Sequence, residues 1–181
     1  MPFIEIITDA KSQIQLSKII DKEIVNDCDI MYIKEKNIEN IKNIKLETII
    51  LNQPIENIEL INKILLNTKN IILNFDFNEE KITLLNIKNN IDNQKTIQKT
   101  TQFDEKNKCQ NTKLISFGYS SKSDITVSSV AEDEVLIYIQ NTINSIYGRK
   151  IEPQEIKVNV KSDTNIYNIM IIIALTALYA R

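Results

Sequence analysis

Histidine is absent from this 181-residue sequence, and glycine occurs only twice, at Gly118 and Gly148. The first absence removes Ser-His-Asp and Cys-His nucleophilic machinery, together with any imidazole general base. Acid or base work would fall to carboxylates or lysines. The second absence removes the phosphate-binding turns of α/β proteins, where glycine lets backbone amides wrap an oxyanion. With the two glycines 30 residues apart, neither a P-loop nor a GxGxxG fingerprint can be drawn.

Cysteine is as scarce. Cys28 and Cys109 belong to no CxxC pair, so a zinc site would have to be built from carboxylates, and no metal site is expected. The opening MPFIEIITDAK lacks the basic, apolar and small-residue regions of a secretory signal. The expectation is therefore a cytoplasmic chain with two reduced thiols. An excess of either charge is missing too. With 22 basic against 24 acidic side chains the net charge is -2, which gives no electrostatic footprint for nucleic acid. Nor is there a long apolar run. The one near the C-terminus, Ile169 to Leu175, is flanked by Asn168 and Thr176 and falls well short of the roughly 20 residues of a membrane span. It reads as a core helix.

What is present is a globular balance, 43% apolar and 25% charged. That suffices for one folded domain over residues 1–181, since domains commonly run to about 100–200 residues. A short apolar opening, Phe3 to Thr8, precedes a helix expected within Lys11 to Val25. Three isoleucine-rich runs follow, at Ile30 to Ile33, Thr48 to Leu51 and Asn70 to Leu73, short and bounded by polar residues as buried strands are. Between the second and third, Ile55, Ile58, Ile61, Ile64 and Leu65 keep helical spacing behind Pro54, and a further helix is expected from Glu79 to about Ile91. Alternating strands and helices imply a mainly parallel, Rossmann-like sheet flanked by helices, an α/β fold. Residues 92–112 have hardly any apolar period and read as a surface loop.

Beyond it, Leu114 to Phe117 is a strand closed by Gly118, and Ile125 to Val130, Val135 to Ile139 and Ile156 to Val160 make a small antiparallel meander. Ser162 or Asp163 then offers an N-cap to a helix over Ile166 to Ala180 that is apolar around nearly its whole circumference, and so buried.

Two groups of polar residues carry what chemistry there is. Glu132, Asp133 and Glu134 sit at a hairpin and read as a solvated tip. Asn74 and Asp76, in IILNFDFNEE, fall at the carboxyl end of a parallel strand, where open α/β sheets place their ligand crevices. A helix cap, Asp76 or Asn78, is the plainer reading and the commoner one. Asn165 and Asn168 in TNIYNIM stand in the same position, as a helix-start pair or as ligand contacts across a helix N-terminus. No catalytic constellation is complete.

Taken in order, these pieces resemble the second half of the central domain of the Mur ligases, the ATP-dependent enzymes that add amino acids to peptidoglycan precursors, and of the related folylpolyglutamate synthases. Leu73, Asn74, Phe75 and Asp76 are similar to the family's Asn-Ala-Asp-Asp turn. Ile115, Ser116, Phe117 and Gly118 correspond to its Thr-Phe-Gly strand, Asp124 and Ile125 to the Ala-Asp that follows, and Asn165 to Asn168 to its His-Asn-x-x-Asn helix start. The likeness spans about Lys69 to Arg181. It departs in three places. Met1 to Lys69 holds no glycine where the family has its P-loop, Thr164 stands at the histidine, and the family's C-terminal domain would lie beyond Arg181.

The resemblance implies a degenerate relative without catalysis of its own, a cytoplasmic scaffold or binding module with a protein partner, linked to cell-wall precursor metabolism. No cofactor is required by this reading. The alternative it leaves open is a regulator that binds ATP, another nucleotide or a wall precursor at Asn74, Asp76, Asn165 and Asn168. A distant third is an enzyme half completed by a P-loop subunit. Homo-oligomerisation is left undecided.

Overall fold

Isoleucine-rich runs become strands here because a β-branched side chain has little rotamer freedom to lose on a packed, pleated surface. The computed structural model describes residues 3–20, 28–41, 43–65, 67–79 and 113–181. The expected helix beyond Glu79, the 92–112 segment and Cys109 lie outside the described residues.

In chain order the elements are β1 (Phe3–Ile7), α1 (Ala10–Ile19), β2 (Asp29–Ile33), a 3-10 helix (Glu35–Ile41), β3 (Leu46–Leu51), α2 (Ile58–Leu65), β4 (Thr68–Asn74) and the single turn α3 (Phe75–Asn78). After them come β5 (Lys113–Phe117), β6 (Ile125–Val130), β7 (Glu134–Ile139), β8 (Ile143–Asn144), β9 (Lys150–Ile151), β10 (Gln154–Asn159) and α4 (Ile166–Leu178). Eight strands make one sheet in the order β10-β7-β6-β5-β4-β3-β1-β2, with β8 and β9 paired separately. From β2 to β6 neighbours are parallel, and β7 and β10 continue the sheet antiparallel. The fold is α/β as expected, with the meander extending the main sheet.

The apolar opening is β1, second from one edge of the sheet. β1 lies between β2 and β3, so the chain turns back on itself across β1, and the order reverses at the carboxyl ends of β1 and β3. In open α/β sheets a crevice forms at such a reversal.

Period-2 alternation divides the core into two layers. Ile4 and Ile6 of β1, Ile50 of β3, Ile72 of β4 and Phe117 of β5 pack with Leu16 of α1 and with Met170, Ile171 and Ala174 of α4. Ile7, Ile49, Leu51, Ile71 and Leu73 face the other way, against Ile61 and Ile64 of α2 and Ile41 of the 3-10 helix. Glu5 shares the parity of Ile7 and is fully buried. Among the described residues neither of its carboxyl oxygens meets a hydrogen-bond partner, and burial pushes its pKa from the ordinary 4.5 up to about 8.

Two helix starts differ from expectation. α2 begins at Ile58, beyond Ile55, because Asn57 caps it by accepting from the Leu60 amide at 3.0 Å. The single turn α3, not expected from the sequence, begins directly after β4 with Asn74 as its cap; the helix expected from Glu79, which Asp76 or Asn78 would cap, lies outside the described residues. α4 is capped by Asn165, whose Oδ1 accepts from the Tyr167 amide at 3.0 Å, and not by Ser162 or Asp163. Tertiary contacts select among the several competent residues at each end, as the next section shows for Asn165.

Candidate functional site

Strand ends at the reversal are joined by a run of side-chain hydrogen bonds. Asn52, after β3, donates from Nδ2 to Thr8 Oγ1, after β1, at 3.1 Å. Asn74, the last residue of β4, donates to Asn52 Oδ1 at 3.0 Å and accepts at Oδ1 from the Asp76 amide at 3.2 Å. All three side chains, Thr8, Asn52 and Asn74, are buried. Buried amides must be paired to be tolerated, and here they pair with one another.

Asp76 projects across the ends of β4 and β5. Its Oδ2 accepts from the Tyr119 amide at 2.6 Å and from the Tyr167 hydroxyl at 3.2 Å, and its Oδ1 accepts from the Ser120 amide at 3.1 Å. The carboxyl lies so close to Gly118 that a Cβ there would stand 2.7 Å from Oδ1. Burial, then the charge of Asp76 and its hydrogen bond, hold the Tyr167 hydroxyl up at about 12, and burial and the same charge raise Tyr119. Tyr167 sits between Phe77 and Tyr119, with ring centroids 5.3 Å and 5.5 Å away. Three segments, α3, the β5–β6 turn and the first turn of α4, thus meet over one carboxylate.

Asn165 and Asn168 bond instead to α1. Asn165 Nδ2 donates to Ser12 Oγ at 3.1 Å, and Ser12 in turn donates to Asp9, the N-cap of α1. Asn168 Nδ2 donates to Gln15 Oε1 at 2.9 Å, while Gln15 reaches the Asp163 carbonyl at 3.0 Å. Asn168 is buried, and its Oδ1 meets no partner among the described residues. Asp9, partly desolvated, is nonetheless held below the usual carboxylate range by its bonds from Ser12.

The four residues singled out from sequence therefore lie along one sheet edge but form two pairs. Asn74 and Asp76 belong to the strand ends, Asn165 and Asn168 to the α1–α4 contact, and Tyr167 bridges them. Sequence reasoning missed Ser12, which is buried, and Gln15; both belong to a weakly amphipathic helix, and their bonds to the asparagines of α4 come from a contact some 150 residues away in the chain. Tyr167 was within reach, since it lies between the two asparagines. Asn165→Ala is expected to cost about 1 kcal/mol, the usual worth of a cap, with Asn165→Ser recovering most of it; urea titration checks this.

Among the described residues no group of three or more His, Cys, Asp or Glu side chains is placed to hold a metal ion, and no helix is long and apolar enough to cross a membrane. Set beside known proteins, the sequence matches no family model and no curated protein.

Proposed function

We propose that this chain is a non-catalytic domain of Mur-ligase-like build, acting as a cytoplasmic scaffold or binding module for a protein partner in cell-wall precursor metabolism. One observation carries the reading. At the sheet edge where an α/β enzyme presents groups to its substrate, Asn74, Asp76 and Asn165 spend their polar atoms on Asn52, on two loop amides and Tyr167, and on Ser12. Side chains committed in this way hold the fold together. The glycine-free stretch from Met1 to Lys69 adds to it, because no backbone there can wrap a triphosphate. The family and pathway assignment rests on the order of the quoted motifs.

A second reading, a regulator that binds a nucleotide or wall precursor, is favoured by Asn168. A buried acceptor without a partner is costly, and a ligand donor would satisfy it. Phosphate release from ATP and magnesium, with and without a uridine-linked wall precursor, tests the primary reading. The purified chain is expected to release none above the buffer rate. Turnover would overturn the non-catalytic assignment.

A further inference from the structure

Phe77 and Tyr119 leave 39% and 51% of their surfaces in solvent, and Tyr167 lies half-buried between them. These three rings form an open shelf at the carboxyl edge of the sheet, with Asp76 at its base. Aromatic faces are electron-rich and attract cations. The carboxylate beneath adds negative charge to the same spot. No lysine or arginine among the described residues pairs with Asp76; the nearby Lys122 is engaged by Glu79 at 2.6 Å. Among the described residues the shelf is thus an apolar, negatively biased surface without a counter-charge.

We infer that the Phe77–Tyr119–Tyr167 shelf with Asp76 is the docking point for an arginine side chain of the protein partner. The inference rests on the binding-module reading and deepens it. Arginine fits better than lysine, because a planar, weakly hydrated guanidinium stacks on a ring while its N–H groups reach a carboxylate edge, whereas an ammonium must shed a tighter water shell. Asp76 Oδ2 already takes two donors and Oδ1 takes one, so Oδ1 keeps acceptor capacity for a single guanidinium N–H. A polypeptide fits better than a free small cation, because an open shelf encloses little of a small ligand's surface.

The test is an NMR titration of the full chain with the peptides Gly-Arg-Gly, Gly-Lys-Gly and Gly-citrulline-Gly, the last a neutral isostere of arginine. The expected result is saturable shifts of the Phe77, Tyr119 and Tyr167 ring signals with the arginine peptide, and affinity for citrulline lower by about tenfold. Tyr119→Leu and Phe77→Leu change exposed side chains and leave the Asp76 hydrogen bonds in place. Each is expected to weaken arginine binding by about two- to fivefold. Equal affinity for citrulline, equal or tighter binding of lysine, no ring shifts, or unchanged affinity in both leucine variants would each overturn the inference. ATP turnover by the chain would overturn the binding-module reading without altering this titration, so the two failures are distinguishable.

Discussion

Replacing Glu5 by glutamine is expected to remove a pH-dependent loss of stability of about 3 kcal/mol between pH 4 and 7, rising to about 5 kcal/mol well above pH 8. The carboxyl is fully buried on β1, beside Met31 of β2 and Ile49 of β3 in register. Among the described residues neither oxygen has a partner, and burial raises its pKa from 4.5 to about 8. The folded chain therefore keeps a proton that the unfolded chain has released. Between pH 4.5 and 8 the unfolded state binds fewer protons than the folded one, so Glu5 lowers stability progressively as pH rises, and the loss levels off above about 8. Glutamine cannot ionise, and its curve should lack this decline. Urea titrations of both proteins at pH 4, 7 and 8.5, read as the difference between them, measure it directly. A difference that stays constant with pH would mean that Glu5 is ionised at little cost. Asp9 acts in the opposite sense. Its lowered pKa contributes stability present above the unfolded value and lost on acidification, so the difference between variants is the informative quantity.

Gly118→Ala is the second large effect expected, about 1–3 kcal/mol of destabilisation by overpacking. The new methyl would meet Asp76 Oδ1 at 2.7 Å and both Cγ and Oδ2 at 2.8 Å. That carboxyl is tethered by three hydrogen bonds and cannot move without releasing Tyr119, Ser120 and Tyr167. If the collision is the main cause, the cost should fall in an Asp76→Ala background to the part imposed by the positive φ of Gly118. A double-mutant cycle by urea unfolding decides it. Equal cost in both backgrounds would show that the backbone at Gly118, and not its neighbour, forbids the side chain.

Both positions illustrate what could be read from the residues. Strands β2 to β7 and the buried C-terminal helix were legible because their apolar runs or alternation are uninterrupted. Strand β1 was not. A parallel strand covered on both faces is ordinarily apolar at every position, and Glu5 breaks that run in FIEII with a buried carboxyl. Helix starts failed for another reason. In a chain so rich in asparagine, serine and aspartate several residues can cap each helix, and the one used is fixed by contacts remote in sequence, such as Asn165 with Ser12. The same remoteness hid the division of the four candidate residues into two pairs.

That division bears on function. Asn74, Asp76 and Asn165, which the sequence offers as helix-start residues or as ligand contacts, are in the folded chain clasps that fix α3, the β5–β6 turn and α4 against the sheet. Tyr119 and Phe77 then remain as the groups that the clasp positions but does not consume.

The most direct measurement is a thermal-shift titration of the purified chain with ATP, ADP and uridine-linked wall precursors, each with and without magnesium, because a ligand that binds only the native state must raise its apparent stability. If the polar residues of the sheet edge serve the fold, a cooperatively unfolding protein will show no shift with any of them. A saturable shift that Asn168→Ala abolishes with the fold intact would contradict the account and make the start of α4 a ligand site.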